Sequence, residues 1–427
     1  MGLLPKPRRP MELSLERTPA PLPVRSHHSI IWKGAILIED TMRETSNTRD
    51  PMKERIVKLA TMATSCCLLL AFWYAAVRPV LAQQQAISVS NSSVQPDYPN
   101  SLTFSCSVKS PSNITDIRLD YQVQQVSFAQ VTAEAKVDFT PSNSVNAAYK
   151  LNMQQSGQIP PGTDITYRWV VEDAAGDKTQ STKYDYVVVD NRHTWSALTQ
   201  GKIHLLWYGQ NASFGDAVMK EAQTALSTLA TDTGATPDQV VNISVYTSPQ
   251  DYAASVAGAP EWAGGEELSE YDAVFIMARP ASLSTDLRGV AHELTHVIVG
   301  QIIANPYNSI PFWLNEGLAV HIQFAGTTLP SQFTNALSSA LANGSLISVR
   351  TLSDPFSAYA DKATLSYAES VSVVNYLLSQ YGSQKMLALL DTFQQGSTYD
   401  GALQSTYGFD MDGLYSQWKA WASRGNT

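Results

Sequence analysis

Two histidines and a glutamate stand together in HELTH, residues 292–296. The surrounding segment STDLRGVAHELTHVIVGQII keeps an apolar helical period through Leu287, Val290, Ala291, Leu294, Val297, Ile298 and Ile302. Ser284, Thr285 and Asp286 supply polar residues for a helix start. On such a helix His292 and His296 lie one above the other on one face, four residues apart. Two imidazoles so placed can each put a nitrogen about 2.0–2.1 Å from one zinc ion. Glu293 is turned about 100° away, outside that ligand set but within reach of a water beside the metal, which suits it to act as a general base. The competing reading is an amphipathic helix with incidental histidines. Only five histidines follow Ala82, two of them fall here, and unpaired imidazoles among apolar neighbours are costly.

A second segment, PFWLNEGLAVHIQF at 311–324, completes the set. Pro311 suits a first helical turn, and Leu314, Leu318 and Ile322 recur at a spacing of four. Nineteen residues separate His296 from Glu316, enough for the first helix to finish, a loop through Asn305 and Pro306, and an antiparallel return. Glu316 would then be the third ligand beside His292 and His296, with the fourth position open to water. Gly317 is expected to let these two helices approach closely. His321, five residues after Glu316, points well around the helix and reads as a supporting or surface residue. His204 lies in a strand candidate and reads as a satisfied core histidine.

HELTH, nineteen residues and then Glu within WLNEGLA resembles the gluzincin metallopeptidases, the aminopeptidase-N-like enzymes and their bacterial relatives of the peptidase MA superfamily, over about residues 270–385. The resemblance implies that His292, His296 and Glu316 bind one Zn²⁺ per chain and that Glu293 polarises the water. It also implies a tyrosine on a later helix that donates to the developing oxyanion. Tyr367, in ATLSYAESVSVVNYLL, is similar in setting, and a phenol is a neutral donor of the right type. The competing reading for Tyr367 is a core tyrosine, and Tyr359 is the alternative candidate. The G-x-M-E-N loop by which the aminopeptidases hold a free amine is missing; WAGGEELSEYDAVFIMARP stands in its place, so aminopeptidase activity is not implied. Ala273–Ala278 reads as a strand, either at a sheet edge where a peptide could add or at the sheet centre. Glu266 and Glu267 read as a solvated loop, with attraction of a substrate amine as the alternative.

The elements that must carry these residues divide the chain. Its 427 residues, 44% hydrophobic and 16% charged, exceed one typical domain. Residues 1–51 are Pro- and Arg-rich without periodicity and read as a non-structural extension. Residues 52–82 have a basic start (Lys53, Arg55, Lys58), an apolar stretch at 59–77 and small residues before Gln83. They read as a signal peptide giving a mature chain from Gln83, or, if uncleaved, as an anchor. Either way the rest is secreted or extracytoplasmic. The first 82 residues hold 12 of 29 basic and 7 of 38 acidic residues, which leaves the remainder at −14 and argues against nucleic acid as a partner. Cys66 and Cys67 fall in the signal, so Cys106 alone remains.

Residues 86–190 alternate apolar and polar residues in short runs separated by turns such as Pro160-Pro161-Gly162. They read as an all-β sandwich, with Trp169 in its core, and PPGTDITYRWVVEDAAGDK resembles the later strands of immunoglobulin-like or fibronectin-III-like modules. Residues 201–427 read as an α+β domain, strands first and helices after, expected at 285–303, 311–324, 330–342, 364–381, 383–394 and 410–423. The reading is a multidomain, secreted, zinc-dependent metallopeptidase acting on a peptide or protein substrate, with an immunoglobulin-like module before a gluzincin-type domain. A membrane partner enters only if the signal stays uncleaved. The alternative is an extracellular binding or adhesion protein with an inactive peptidase-like domain. The intact Glu293 weighs against it.

Overall fold

Apolar–polar alternation builds the first half of the structure, a computed structural model that describes residues 86–425 except 127–130, 156–157, 257–263, 308 and 358–359. The signal segment 52–82, the extension before it and Tyr359 lie outside the described residues. One antiparallel sheet joins β1 (Ser88–Asp97), β2 (Ser101–Lys109) and β5 (Ser144–Asn152). A second joins β3 (Ile114–Val123), β4 (Ala133–Lys136), β6 (Asp164–Asp173), β7 (Lys178–Gln180) and β8 (Tyr184–Val187). Side chains of a strand alternate between faces. Leu102, Phe104, Cys106 and Val108 of β2 therefore share one core with Ile117, Leu119, Ile165 and Val171. Trp169 is fully buried there, and its indole N–H donates to Ser92 Oγ at 3.0 Å. Burial pushes the lone Cys106 thiol up to about 12, which leaves it unreactive.

The next sheet has the order β12-β13-β11-β10-β9, with β9 (Trp195–Gln200), β10 (Ile203–Tyr208), β11 (Val241–Tyr246), β12 (Gly265–Leu268) and β13 (Ala273–Met277). Its three inner strands are parallel and its two outer ones antiparallel to their neighbours. The 22-residue helix α1 (Ala212–Thr233) crosses between β10 and β11, as a parallel pair requires. The short α2 (Pro249–Ser255) follows β11. Ala273–Met277 is thus an inner strand, and the edge falls to β12, where the sequence suggested a loop at Glu266 and Glu267. The strand β9, which begins before 201, belongs to this sheet. Tyr271 and Ala273 also join the core of the preceding sheets, and Gln125 Nε2 donates to Tyr271 Oη at 2.6 Å.

Seven helices complete the described chain: α3 (Leu283–Ile303), α4 (Phe312–Gln323), α5 (Ser331–Asn343), α6 (Ala360–Tyr381), α7 (Ser383–Gln394), α8 (Tyr399–Tyr407) and α9 (Met411–Ala422). The helix α8, unanticipated, has Thr398 as its N-cap, accepting from Gly401 N. α3 packs on the sheet through Val290, Ala291, Leu294, Val297 and Ile298. α4 turns Trp313, Leu314 and Leu318 into the helical core. Gly317 does permit a close approach, but to a different helix than expected. A Cβ there would lie 2.6 Å from Ser370 O and 2.7 Å from Val374 Cγ2, both on α6. No helix among the described residues is long and apolar enough to cross a membrane.

Candidate active site

The pattern that makes α3 a helix also aims its polar face. Asp286, in the first turn, accepts from Arg279 N and Ser282 Oγ at 2.9 and 2.8 Å and ties the helix start to the preceding loop. Apolar positions bury against the sheet, which leaves His292, Glu293 and His296 facing α4 and β12. The two imidazoles lie with ring centroids 4.8 Å apart and planes at 83°. Across from them α4 presents Glu316, whose Oε2 lies 3.5 Å from His292 Nε2 and 3.7 Å from His296 Nε2. One ligand atom from each of His292, His296 and Glu316 falls within 4.8 Å of the others.

The three side chains are largely withdrawn from solvent, with exposures of 16, 6 and 12%. Glu316 Oε2 is buried without a hydrogen-bond partner. A buried carboxylate oxygen left bare between two imidazole nitrogens is costly unless something positive sits among them. Tetrahedral binding about 2.0–2.2 Å from each ligand atom sets those atoms roughly 3.3–3.6 Å apart, close to the 3.5 and 3.7 Å from Glu316 Oε2 to the two imidazoles. The residues therefore fit a zinc-sized cation. His292 Nδ1 meets Gln323 Oε1 at 3.1 Å, an arrangement in which Nδ1–H donates and Nε2 is left free to face the triad. Gln323 sits on α4 seven residues after Glu316, so one helix supplies both a ligand and the group that orients another. Sequence reasoning missed it, although the spacing puts both on one helical face.

Electrostatics separate the two glutamates. Burial raises the Glu316 carboxyl, but His296 and His292 outweigh it and hold the group below its ordinary value. Glu293 goes the other way. Burial, reinforced by the charges of Glu316, Glu267 and Glu266 and opposed by His296, pushes it up to about 8. Its neighbour across the cleft is Gly265 of β12. A Cβ there would lie 2.5 Å from Glu293 Cγ, so only a residue without a side chain lets the edge strand pass this close.

A cleft of about 740 Å³ opens over the triad, lined among others by Glu266, Glu293, Phe312, Glu316 and Tyr367. Tyr367 thus lies in the same cleft as the four residues of the paired motif. It packs edge-on against Phe356 with centroids 5.2 Å apart. Burial, and then the charges of Glu316 and Glu293, raise its phenol well above the ordinary value and keep it a neutral donor. Burial, then Glu267 and Glu270, raise Glu266. His321 lies apart: its nitrogens meet Asn375 Oδ1 at 2.7 Å and Asp232 Oδ2 at 3.0 Å. His204, half-buried on β10, meets Asn242 Oδ1 at 2.9 Å, a paired histidine away from the cleft but not in the core.

Residues 221–424 match the family model of the Peptidase MA superfamily. This part of the chain is thus similar to Peptidase MA superfamily domains, a metallopeptidase-like class. No curated protein matches the chain. Among solved structures, wild-type OgpA from Akkermansia muciniphila is 13% identical over 24% of this chain and 29% of its own, with a TM-score of 0.19. Legionella pneumophila aminopeptidase A, in complex with aspartic acid, is 11% identical over 78% of this chain and 49% of its own, with a TM-score of 0.35.

Proposed function

We propose that the protein is a secreted zinc-dependent metallopeptidase with an immunoglobulin-like accessory module. The observation that carries this reading is the buried, unpartnered Glu316 Oε2 facing the Nε2 atoms of His292 and His296. These three residues would hold the metal, and Gln323 orients His292. Zinc bound there would supply Lewis acidity toward a water and the substrate carbonyl. Glu293 takes the proton from the attacking water and delivers it to the leaving amine. The positive charge of a cation at the triad favours its carboxylate form, offsetting the effect of burial. Tyr367 donates its phenol hydrogen to the oxyanion. β12, the edge strand among the described residues and beside Glu293, offers backbone groups to an extended peptide.

Metal analysis of the purified chain, paired with digestion of a peptide library, tests the reading. One zinc per chain and metal-dependent cleavage are expected. A chain that holds one zinc and cleaves no peptide would favour the binding-protein alternative. N-terminal sequencing of the exported chain should find Gln83 first. Retention of residues 59–77 would contradict cleavage and make that stretch an anchor.

A further inference from the structure

The cleft does not end at the triad. A second chamber of about 280 Å³ continues beyond His296, and the two share Glu267, His296, Phe312 and Asn315 as common walls. The strand β12 runs along both: Gly264, Gly265 and Glu266 line the first chamber, Ser269 just past its end lines the second, and Glu267 lines both. The triad therefore lies partway along a channel flanked by one open strand edge.

The second chamber has an apolar character. Gly300, Ile303 and Ala304 come from the end of α3, and Ile310 and Phe312 from the entry to α4. Two of the polar groups on its walls are already engaged. Glu267 Oε2 accepts from Ser269 N and Oγ at 2.8 and 2.5 Å. Asn305 Nδ2 donates to the carbonyls of Ile303 and Phe393 at 2.9 and 3.1 Å. Gly300 keeps the passage between β12 and α3 open, since a Cβ there would already be 3.0 Å from Ser269 Oγ.

We infer that the protein is an endopeptidase, whose substrate continues on both sides of the triad and places an apolar side chain in the chamber beyond His296. This rests on the peptidase reading above. A substrate attacked only at a free end needs a cleft closed on one side of the reacting atoms, whereas this cleft continues on both. Chain ends blocked by acetyl and amide groups should be no obstacle.

The test uses the zinc-loaded full chain and a set of acetylated, amidated peptides that carry Gly, Ala, Leu or Phe at each position, with cut sites read by mass spectrometry. Internal cuts are expected, with Leu or Phe preferred at one fixed position from the cut. Ala304→Phe, which fills the chamber, should lower the ratio of kcat/KM for the Leu peptide over the Gly peptide about ten-fold or more. Phe312→Ala, which enlarges the chamber, should shift that preference towards Phe. In the Glu293→Gln background, fluorescence anisotropy should show weaker binding of the labelled Leu peptide after Ala304→Phe. Release of residues only from free ends overturns this inference and leaves the peptidase reading standing. Unchanged ratios and binding in both chamber variants, with unaltered melting, overturn the assignment of the chamber. No cleavage of any peptide, blocked or free, overturns both.

Discussion

Buried carboxylates behave differently in the two halves of this molecule. Asp173, at the end of β6, and Asp190, in the connection from β8 to β9, are 3 and 1% exposed, and both are engaged. Asp173 accepts from Ser110 Oγ and from the amides of Ala175 and Asp177, bonds that hold it below the ordinary carboxylate value. Asp190 accepts from Arg192 N, Nε and Nη2. In the cleft, Glu316 keeps an oxygen bare and Glu293 is pushed up to about 8. The first pattern is what a stable interior needs. The second tolerates a cost that packing does not explain and that a cation and a moving proton would. Incomplete satisfaction, not burial, distinguishes Glu316 and Glu293 from Asp173 and Asp190.

The contrast can be broken most forcefully at the triad. Glu316→Ala should weaken zinc binding by more than about 100-fold, measured by competition with a chromophoric chelator, and hydrolysis should fall with it, because a first ligand matters more than its support. Unchanged zinc affinity would mean that the bare oxygen marks no metal site. Tyr367→Phe should lower kcat by about 10²–10³, or roughly 2.7–4 kcal/mol, with zinc content and KM little changed. A normal kcat would return Tyr367 to the core-like class, and the same measurement on Tyr359→Phe compares the alternative. Gln323→Leu should reduce zinc affinity by about 10–100-fold while the fold is kept, since His292 loses the group that fixes its ring. Gln323→Glu, which can still accept from Nδ1–H, should restore most of it.

A last effect, on stability and not on activity, concerns Glu369 on α6, fully buried and, among the described residues, accepting the amide of Ile347 at 3.1 Å from each oxygen. Burial, partly opposed by that amide, pushes it up to about 8. The folded state therefore retains a proton that the unfolded chain, with an ordinary value of about 4.3, has released. Its stabilising effect is complete below about pH 4.3 and is lost as pH rises towards 8, by about 1.4 kcal/mol per pH unit. Urea unfolding of the metal-free chain at pH 5 to 8 should show this slope reduced in Glu369→Gln. Parallel pH profiles for the two chains would mean that Glu369 is ionised when folded.

What could be read from the sequence follows the range of the forces involved. Helix periodicity placed His292, Glu293 and His296 on α3, and the loop length brought Glu316 back on α4, because both are local matters of spacing. The short edge strand β12 escaped notice: Gly264-Gly265-Glu266-Glu267 has no alternation, and its pairing with β13 is decided by tertiary neighbours. For the same reason Ala273–Met277 left edge and centre undecided. The partner of Gly317 could not be foreseen, since the contact with Ser370 joins positions 53 residues apart. Gln323 lay within sight of the helical period, but a glutamine on a helix signals nothing until the imidazole it faces is known. The strands of the first half showed through alternation, yet the packing of Tyr271 into that core crosses the apparent boundary at 191–201 and leaves no local trace.

The central claim is that Glu293 moves a proton beside a metal held by His292, His296 and Glu316. Glu293→Gln keeps the shape of the side chain and removes its ability to take that proton. Zinc content and hydrolysis measured on the same preparation decide the matter. The account predicts one zinc per chain, as in the unaltered protein, with nearly all peptide cleavage lost. Full cleavage by a Glu293→Gln chain that still holds its zinc would contradict it.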